Sequence, residues 1–446
     1  MSEKKRFDTI IIGAGPGGLA AAYKLAQKQR VLVIEKGLWG GTCPNCGCDP
    51  KKMLYGVVET KRQAQLFAQT GLEGSLAIDW SALMAFKKSY TDSIPAGTEQ
   101  GLAHAGIAHL HGTAHFLDLN TIEVDHTSYQ ARNIVIATGA QPFIPEIPGK
   151  EYLQTSTDFL SLEHLPAEIA FIGAGYVAVE LANIAAQAGA KVHLIQHNKR
   201  ILRGFPAEYG EKIIAALTAK KVTFHWNCEV AKVTKEQHHL SIKGTHGEQI
   251  VVDNVFAATG RPAALDDLQL AHVGIESDQR GVKVNDHLQT TKANVYAIGD
   301  AVSKSLPKLT PVSGFEGNYV AETILGATAP INYPVIAHTV FAGPELSQVG
   351  VSLAWAQKHP ADYSINTQAV GSWYTYQRLR DNDAQVTTIV TKKANHLVGA
   401  VVYAANAEEL INYLTALITQ QLPATALANW MPVYPSAASD LKYLYS

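Results

Sequence analysis

The sequence predicts an α/β protein that carries two Rossmann-like dinucleotide-binding domains. Three observations predict it. A strand–glycine turn–helix unit stands near the start of the chain, the same unit returns from Gly173, and two later apolar strands each end in an Ala-Thr-Gly turn. The chain length of 446 residues suits about three domains. Hydrophobic residues make up 47% and charged residues 17%, so large cores can form. The 37 basic and 39 acidic residues leave a net charge of −2, which excludes a strongly basic nucleic-acid footprint.

The first unit reads IIIGAGPGGLAAAYKLA, an apolar run followed by Gly13, Gly15 and Gly18. A second apolar run, VLVIE, ends at Glu35. Glycines let the chain turn sharply and let backbone approach a pyrophosphate, while the next helix points its N-terminus at the phosphates. A carboxylate at the end of the second strand takes the ribose hydroxyls. Strand, helix and acid at these distances make the motif specific.

The second unit reads IAFIGAGYVAVELANIAAQAG, with Gly173, Gly175 and Ala178 at the three glycine positions. Its second strand, KVHLIQ, ends in Gln196, and His197, Lys199, Arg200 and Arg203 follow. Two such folds imply two dinucleotides, a tightly held flavin (FAD) and a diffusing nicotinamide. A carboxylate after the second strand would repel a 2′-phosphate, whereas a neutral Gln196 beside cations would accept one. The expected reductant is therefore NADPH rather than NADH. The plainer alternative is that these cations belong to a solvated loop.

Two further strand ends repeat the logic of a sharp glycine turn. NIVIATGA contains Thr138 and Gly139, and NVFAATGR contains Gly260. A third strand, NVYAIGDA, ends in Gly299 and Asp300. An acid there can accept from a ribose or polyol hydroxyl, cap the next helix, or both.

Three of the four cysteines crowd into GGTCPNCGCDPKKML, as Cys43, Cys46 and Cys48. A structural zinc site needs four ligands and the fourth cysteine, Cys228, is far along the chain, so no metal is expected. Three inert core cysteines fit poorly beside Pro, Asn and Gly. The leading reading is a redox pair downstream of the flavin fingerprint.

GGTCPNCGCDPKK resembles the GGTCxNxGCxPxK signature of the class I pyridine nucleotide-disulphide oxidoreductases, which include glutathione reductase, dihydrolipoamide dehydrogenase and mercuric reductase. The resemblance spans nearly the whole chain: both fingerprints, both ATG turns, YAIGDA, and TVFAGPELSQVGVS, which is similar to the start of the family's dimerisation domain. The GAGYVAVELA run and the loop ending ILRGF look most like glutathione reductase.

The resemblance implies roles. Cys43 and Cys48 would form the redox disulfide, with Cys48 facing the flavin and Cys43 attacking the substrate. Cys46 stands where the family has an aliphatic residue, either as a third redox sulfur or as a small hydrophobe. Lys52 or Lys51 would lie near the flavin and pair with Glu180, Tyr176 would cover the nicotinamide pocket, and Glu35 and Asp300 would bind flavin. The relay would run from NADPH through FAD and the Cys43–Cys48 pair to a small disulfide. A homodimer with shared active sites is implied, with an α+β dimerisation domain over 331–446, an FAD-binding domain over 1–148 and 259–330, and an NAD(P)-binding domain over 149–258.

One departure concerns the C-terminus. The family ends with His-Pro and a glutamate five residues after the histidine, a pair that moves protons to and from thiols. Here Tyr434 precedes Pro435, Ser439 sits five residues on and Asp440 six, and no histidine follows His396. A phenol is a poor base at neutral pH but can donate to a thiolate. Tyr434 either serves in this way or only packs. Two alternatives stay open: a flavin-dependent reductase of metal ions, quinones or oxygen, and a dihydrolipoamide dehydrogenase-like enzyme.

Leu410 to Ser439 contains no charged side chain but holds Pro423, Pro432 and Pro435, so it is expected at a buried subunit interface rather than in a membrane. The N-terminal MSEKKRF lacks the apolar core of a signal peptide, and the expected location is cytoplasmic, with no membrane or nucleic-acid partner.

Overall fold

The computed structural model describes residues 5–445. Its first lobe begins with β1 (Lys5–Ile12), α1 (Pro16–Ala26) and β2 (Val31–Glu35). Helices α2 (Thr42–Cys46), α3 (Cys48–Leu66), α4 (Trp80–Thr91) and α5 (Ile94–His104) follow, then β3 (Ala108–His111), β4 (Ala114–Asp118), β5 (Thr121–Val124) and β6 (Thr127–Ile136). The strands order as β3-β2-β1-β6-β5-β4. The central strands are parallel, and Ile10, Ile11, Val33, Ile134 and Val135 are fully or almost fully buried, as expected of strands covered on both faces. Pro16 opens α1, where its fixed φ suits the first turn and its missing N–H costs nothing.

The chain then builds a second parallel sheet. Its elements are β7 (Leu153–Gln154), α6 (Ser156–Phe159), β8 (Glu168–Ile172), α7 (Tyr176–Ala188), β9 (Lys191–Gln196), α8 (Ala207–Ala219) and β10 (Thr223–Trp226). An antiparallel meander, β11 (Val230–Glu236), β12 (His239–Gly244) and β13 (Gln249–Val252), leads to β14 (Asn254–Ala257). The order is β10-β9-β8-β14-β7.

After the small hairpin β15 (Ser277–Asp278) and β16 (Gly281–Val282), β17 (Val295–Ala297) returns to pair parallel with β6. Helix α9 (Thr310–Ile324) then packs on α1 so closely that a β-carbon on Gly317 would stand 2.2 Å from the Gly17 carbonyl oxygen. The second sheet is thus inserted between two stretches that share the first.

The third lobe is an antiparallel sheet of β18 (His338–Phe341), β19 (Glu345–Gly350), β20 (Tyr363–Ala369), β21 (Gln385–Thr391) and β22 (Leu397–Ala404), in the order β18-β19-β22-β21-β20. Helices α10 (Leu353–Lys358), α11 (Tyr374–Gln377) and α12 (Ala407–Thr419) accompany it. The whole is α/β with an α+β C-terminal lobe. The uncharged stretch Leu410 to Ser439 divides in two, which corrects its reading as interface throughout. Leu410, Ile411, Leu414 and Leu417 of α12 fill the lobe's own core, because their spacing puts them on one helical face. Beyond it, Met431 is 95% and Val433 81% exposed, so the apolar surface lies in the proline-rich segment. Among the described residues no helix is long and apolar enough to cross a membrane.

Candidate active site

The first glycine turn is fixed by packing. Gly13 has φ +111°, and a β-carbon there would stand 2.3 Å from the Ala137 carbonyl oxygen on the neighbouring strand end. A β-carbon on Gly18 would meet the Gly13 oxygen at 2.0 Å. Gly15 is extended at φ −75° and touches another glycine: a β-carbon on Gly41 would lie 2.6 Å from the Gly15 Cα. Backbone without side chains thus surrounds the N-terminus of α1, a cradle shaped for a diphosphate. Glu35 stands beside it and accepts from the backbone N–H groups of Ala14 and Gly37, both at 2.7 Å. In the adjacent ATG turn the Thr138 hydroxyl is buried without a hydrogen-bond partner, and Gly139 adopts φ +69°. The glycine cradle, the strand-end acid and this orphaned hydroxyl fit FAD.

The second turn repeats the first. Gly173 has φ +107°, with a virtual β-carbon 2.5 Å from the Ala258 oxygen, and Gly175 faces open space. Gly260 adopts φ +138°. Here the strand-end Gln196 donates to the Asn198 side-chain oxygen at 3.2 Å and the Arg200 carbonyl at 3.0 Å. His197 meets the Asn198 amide at 2.9 Å. Arg200 donates to the carbonyls of Arg203 and Phe205, so it braces the loop. Lys199 and Arg203 are exposed and form no ion pair among the described residues.

The cysteine segment lies against the first turn through Gly41. Asn45 fixes its path by donating to the carbonyls of Trp39 and Gly41 at 2.9 and 2.8 Å. Cys43 and Cys46 lie on α2, and Cys48 is the first residue of α3. Cys43 and Cys46 are half-buried and Cys48 is exposed, and none of the four cysteines is paired in the structure. Cys46 makes no hydrogen bond among the described residues, and Cys228 is buried in the second lobe. No group of three or more His, Cys, Asp or Glu among the described residues is arranged to hold a metal ion.

Cys48, Lys51 and Lys52 share the face of α3 set by spacings of three and four. The same spacing on α7 puts Tyr176 above Glu180. The two helices meet there. Both lysine Nζ atoms contact Glu180 Oε2, Lys51 at 2.7 Å and Lys52 at 2.9 Å. Glu180 Oε1 accepts the backbone N–H of Phe341, at 2.9 Å, from the third lobe. Lys51 Nζ stands 5.1 Å from the Tyr176 ring centre and Lys52 Nζ 3.5 Å from that of Phe341. One buried carboxylate thus joins all three lobes. Of the two lysines, Lys51 is the more deeply buried.

This cluster sets the charge on the sulfurs. The Cys48 thiol is pulled down to about 6, first by hydrogen bonding from Cys43, then by Lys51, Thr310 and Lys52, which together outweigh burial. Its place at the start of a helix acts in the same direction. Cys43 is pushed far up, chiefly because its S–H serves Cys48 and because it is buried. Burial depresses Lys52 to about 8 with help from its neighbour Lys51, whereas Lys51 stays above the usual lysine value because Glu180 outweighs the same burial. In the dithiol state the thiolate is therefore Cys48, and Cys43 holds the proton.

The remaining acids and Tyr434 are placed differently. Asp300 lies in a short helical turn after β17 where burial raises its carboxyl, opposed by Lys308, Lys304 and Arg261. Tyr434 is 71% exposed and stacks on Tyr374 with ring centres 6.3 Å apart. No hydrogen bond among the described residues joins it to a cysteine. Ser439 is spent on a capping box with Ser436, and Asp440 is buried, with its carboxyl raised by that burial. Neither stands in for the family's glutamate beside Tyr434.

Several contacts escaped the sequence. Asp49 Oδ1 lies 3.7 Å from the Cys43 sulfur, and Tyr90 donates to Asp49 Oδ2 at 3.0 Å. Thr310 reaches the Cys48 sulfur at 4.0 Å. Asp49 sits inside the cysteine motif, where its place next to Cys48 was the available signal. Tyr90 and Thr310 come from distant helices and carried none.

Residues 7–317 match the family described as pyridine nucleotide-disulphide oxidoreductase, and residues 336–445 match its dimerisation domain. The chain is 31% identical to a glutathione reductase of Burkholderia cepacia, covering 98% of each. It is also 31% identical to a dihydrolipoyl dehydrogenase of Bacillus subtilis (strain 168), over 96% of this chain and 93% of the relative. A solved structure of the HOCl-induced flavoprotein disulfide reductase RclA from Escherichia coli, a Cu(II) complex of a mutant, superposes with a TM-score of 0.89 at 25% identity over 99% of both chains. The chain belongs to the pyridine nucleotide-disulphide oxidoreductase family, whose members are flavoproteins that use a pyridine nucleotide to act on sulfur groups.

Proposed function

We propose that this chain is an NADPH-dependent reductase of a small disulfide, working as a homodimer with Cys43 and Cys48 as its redox pair. The observation that carries the reading is the unequal sulfur pair above Lys51, Lys52 and Glu180. When bound, FAD supplies the carrier that takes hydride from the nicotinamide and returns an electron pair to the sulfurs. The protein's own groups do the rest. Lys51 and Lys52 hold the Cys48 thiolate, and Glu180 holds the lysines. Cys43 gives up its proton and attacks one sulfur of the acceptor, releasing the first thiol and leaving a mixed disulfide. Cys48 then displaces the second thiol, and the Cys43–Cys48 bond forms as the acceptor's bond is fully replaced. Each cycle consumes two electrons and two protons per disulfide. Lys199 and Arg203 remain exposed beside the neutral Gln196, which supports NADPH. The exposed apolar segment around Met431 and Val433, in the matched dimerisation domain, supports a homodimer.

An anaerobic NADPH titration tests the reading, with thiols counted under denaturing conditions. Two new thiols should appear before the flavin bleaches. Cys43→Ser should keep flavin reduction and lose disulfide turnover by about three orders of magnitude or more. Bleaching with no change in thiol count would favour the second reading, direct reduction of a metal ion, which the likeness to a protein solved as a Cu(II) complex supports. Glutathione disulfide and lipoamide belong together in the first substrate panel, since the chain is equally similar to relatives named for each.

A further inference from the structure

The sulfur that meets the acceptor has a charged neighbour that the relay leaves unused. Asp49 follows Cys48 on the first turn of α3, yet its carboxylate turns toward Cys43, with Oδ1 at 3.7 Å from the sulfur. Tyr90 of α4 fixes it by donating to Oδ2 at 3.0 Å. Lys51 and Lys52 face the other way and are both held by Glu180. Among the described residues no Lys, Arg or His forms an ion pair with Asp49. Helix α4 does not supply one either: Lys87 is buried, and Lys88 reaches no acid. The uncompensated charge beside Cys43 is therefore negative. Phe86 and Tyr90, one turn apart on α4, are 50% and 42% exposed, so the carboxylate sits at the edge of an open aromatic ledge.

We propose that Asp49, positioned by Tyr90, is a specificity-determining residue that selects acceptors carrying positive charge next to the reacting bond, as amine-bearing small disulfides do, and rejects acceptors carrying negative charge there. The inference rests on the disulfide-reductase reading. A charge brought to about 5 Å from a half-exposed carboxylate feels an interaction worth on the order of tenfold in rate or affinity. The effect acts on every acceptor that must approach Cys43, whatever its remaining shape.

Three disulfides of similar size test it on the flavin-loaded enzyme: dicationic cystamine, the dianionic disulfide of mercaptopropionic acid, and uncharged hydroxyethyl disulfide. Each kcat/KM is divided by that of the uncharged compound on the same variant, which removes any general effect on Cys43 reactivity or folding. Asp49→Asn should shift the cystamine-to-dianion ratio toward the dianion by about tenfold or more. Asp49→Glu should hold the ratio within about threefold, and added salt should compress the wild-type ratio. A ratio that moves less than about twofold in Asp49→Asn, while the uncharged disulfide still turns over, overturns the selector and spares the disulfide reading. Failure of the wild-type enzyme to reduce any of the three overturns both.

Discussion

The two glycine turns of this chain are nearly the same object. Gly13 and Gly173 have φ values of +111° and +107°, and a β-carbon on either would strike the carbonyl oxygen of the alanine that starts an ATG turn. Gly15 and Gly175 are extended at φ −75° and −76°. The strand ends and helix faces differ. Glu35 accepts two backbone N–H groups, while Gln196 donates into its own loop. Helix α1 carries Pro16 and Ala20 where α7 carries Tyr176 and Glu180. Helix α1 must pack tightly on α9 at Gly317, which leaves room only for small side chains. Helix α7 instead faces the lysines of α3. Backbone packing was therefore held the same in both copies, while the side chains that read a ligand or touch the sulfurs diverged.

The hardest way to break this likeness is to add one carbon to each copy. Gly13→Ala places a β-carbon against backbone at a φ that L-residues avoid, so strain of a few kcal/mol must be relieved by opening the turn. The purified variant should lose its flavin absorbance or fail to fold. Gly173→Ala meets the same clash in the inserted lobe, and should keep the yellow colour while losing reduction by NADPH. Gly175→Ala faces open space in the protein, so melting should hold within a few degrees while the KM for NADPH rises. Full flavin content in Gly13→Ala would mean that the turn is not set by packing.

Gln196→Glu makes the second copy resemble the first at its strand end. A carboxylate there repels a 2′-phosphate and accepts a free ribose hydroxyl. The ratio of kcat/KM for NADPH to that for NADH should fall by about 10- to 100-fold. An unchanged ratio would return Lys199, Arg200 and Arg203 to the role of a solvated loop, a role that the Arg200 bonds to loop carbonyls already give to one of them.

The contact between the two units is sharpened by Lys51→Met. Cys48 has its pKa lowered to about 6, so the thiolate of the reduced enzyme persists above that pH and is lost as pH falls through it. Removing a buried cation takes away part of that depression. The midpoint of iodoacetamide alkylation against pH should move upward by about one unit, a tenfold loss of thiolate in the range below the new midpoint. A midpoint that stays near 6 would assign the depression to Cys43, Thr310 and Lys52 rather than to Lys51.

These comparisons also show which features a sequence can carry. The glycine turns, the strand-end acid and the cysteine spacing were legible because each expresses a local constraint within about thirty residues, the reach of one strand–helix–strand unit. The pairing of Lys51 and Lys52 with Glu180 came only through family resemblance, since more than a hundred residues separate the helices. Phe341, Tyr90 and Thr310 carried no signal at all. Phe341 reaches the site from the third lobe through its backbone N–H and its ring, and Tyr90 and Thr310 each through a single hydroxyl from a helix distant in sequence. Which sulfur holds the charge was also hidden, because it depends on summed fields rather than on residue type. Hydrogen bonding from Cys43 comes first among the causes that lower Cys48, ahead of Lys51 and Lys52.

The smallest expected effect concerns the residue that replaces the family's histidine. Tyr434 is largely exposed, stacks on Tyr374 and bonds to no cysteine among the described residues, so in the proposed homodimer any chemical part it plays would be exercised across the subunit interface. Tyr434→Phe keeps the ring and removes the hydroxyl. If that hydroxyl donates to a departing thiolate, kcat should fall about fivefold, the worth of one partly exposed hydrogen bond of ~1 kcal/mol, with flavin reduction by NADPH unaffected. Tyr434→His should restore or raise turnover, because imidazole can both donate and accept near neutral pH. The split between the two half-reactions matters more than the size of the change. A loss confined to the disulfide half-reaction places the hydroxyl at the acceptor, whereas equal rates for Tyr and Phe leave Tyr434 as packing. Cys43 would then pass its proton to the Cys48 thiolate that its S–H already serves.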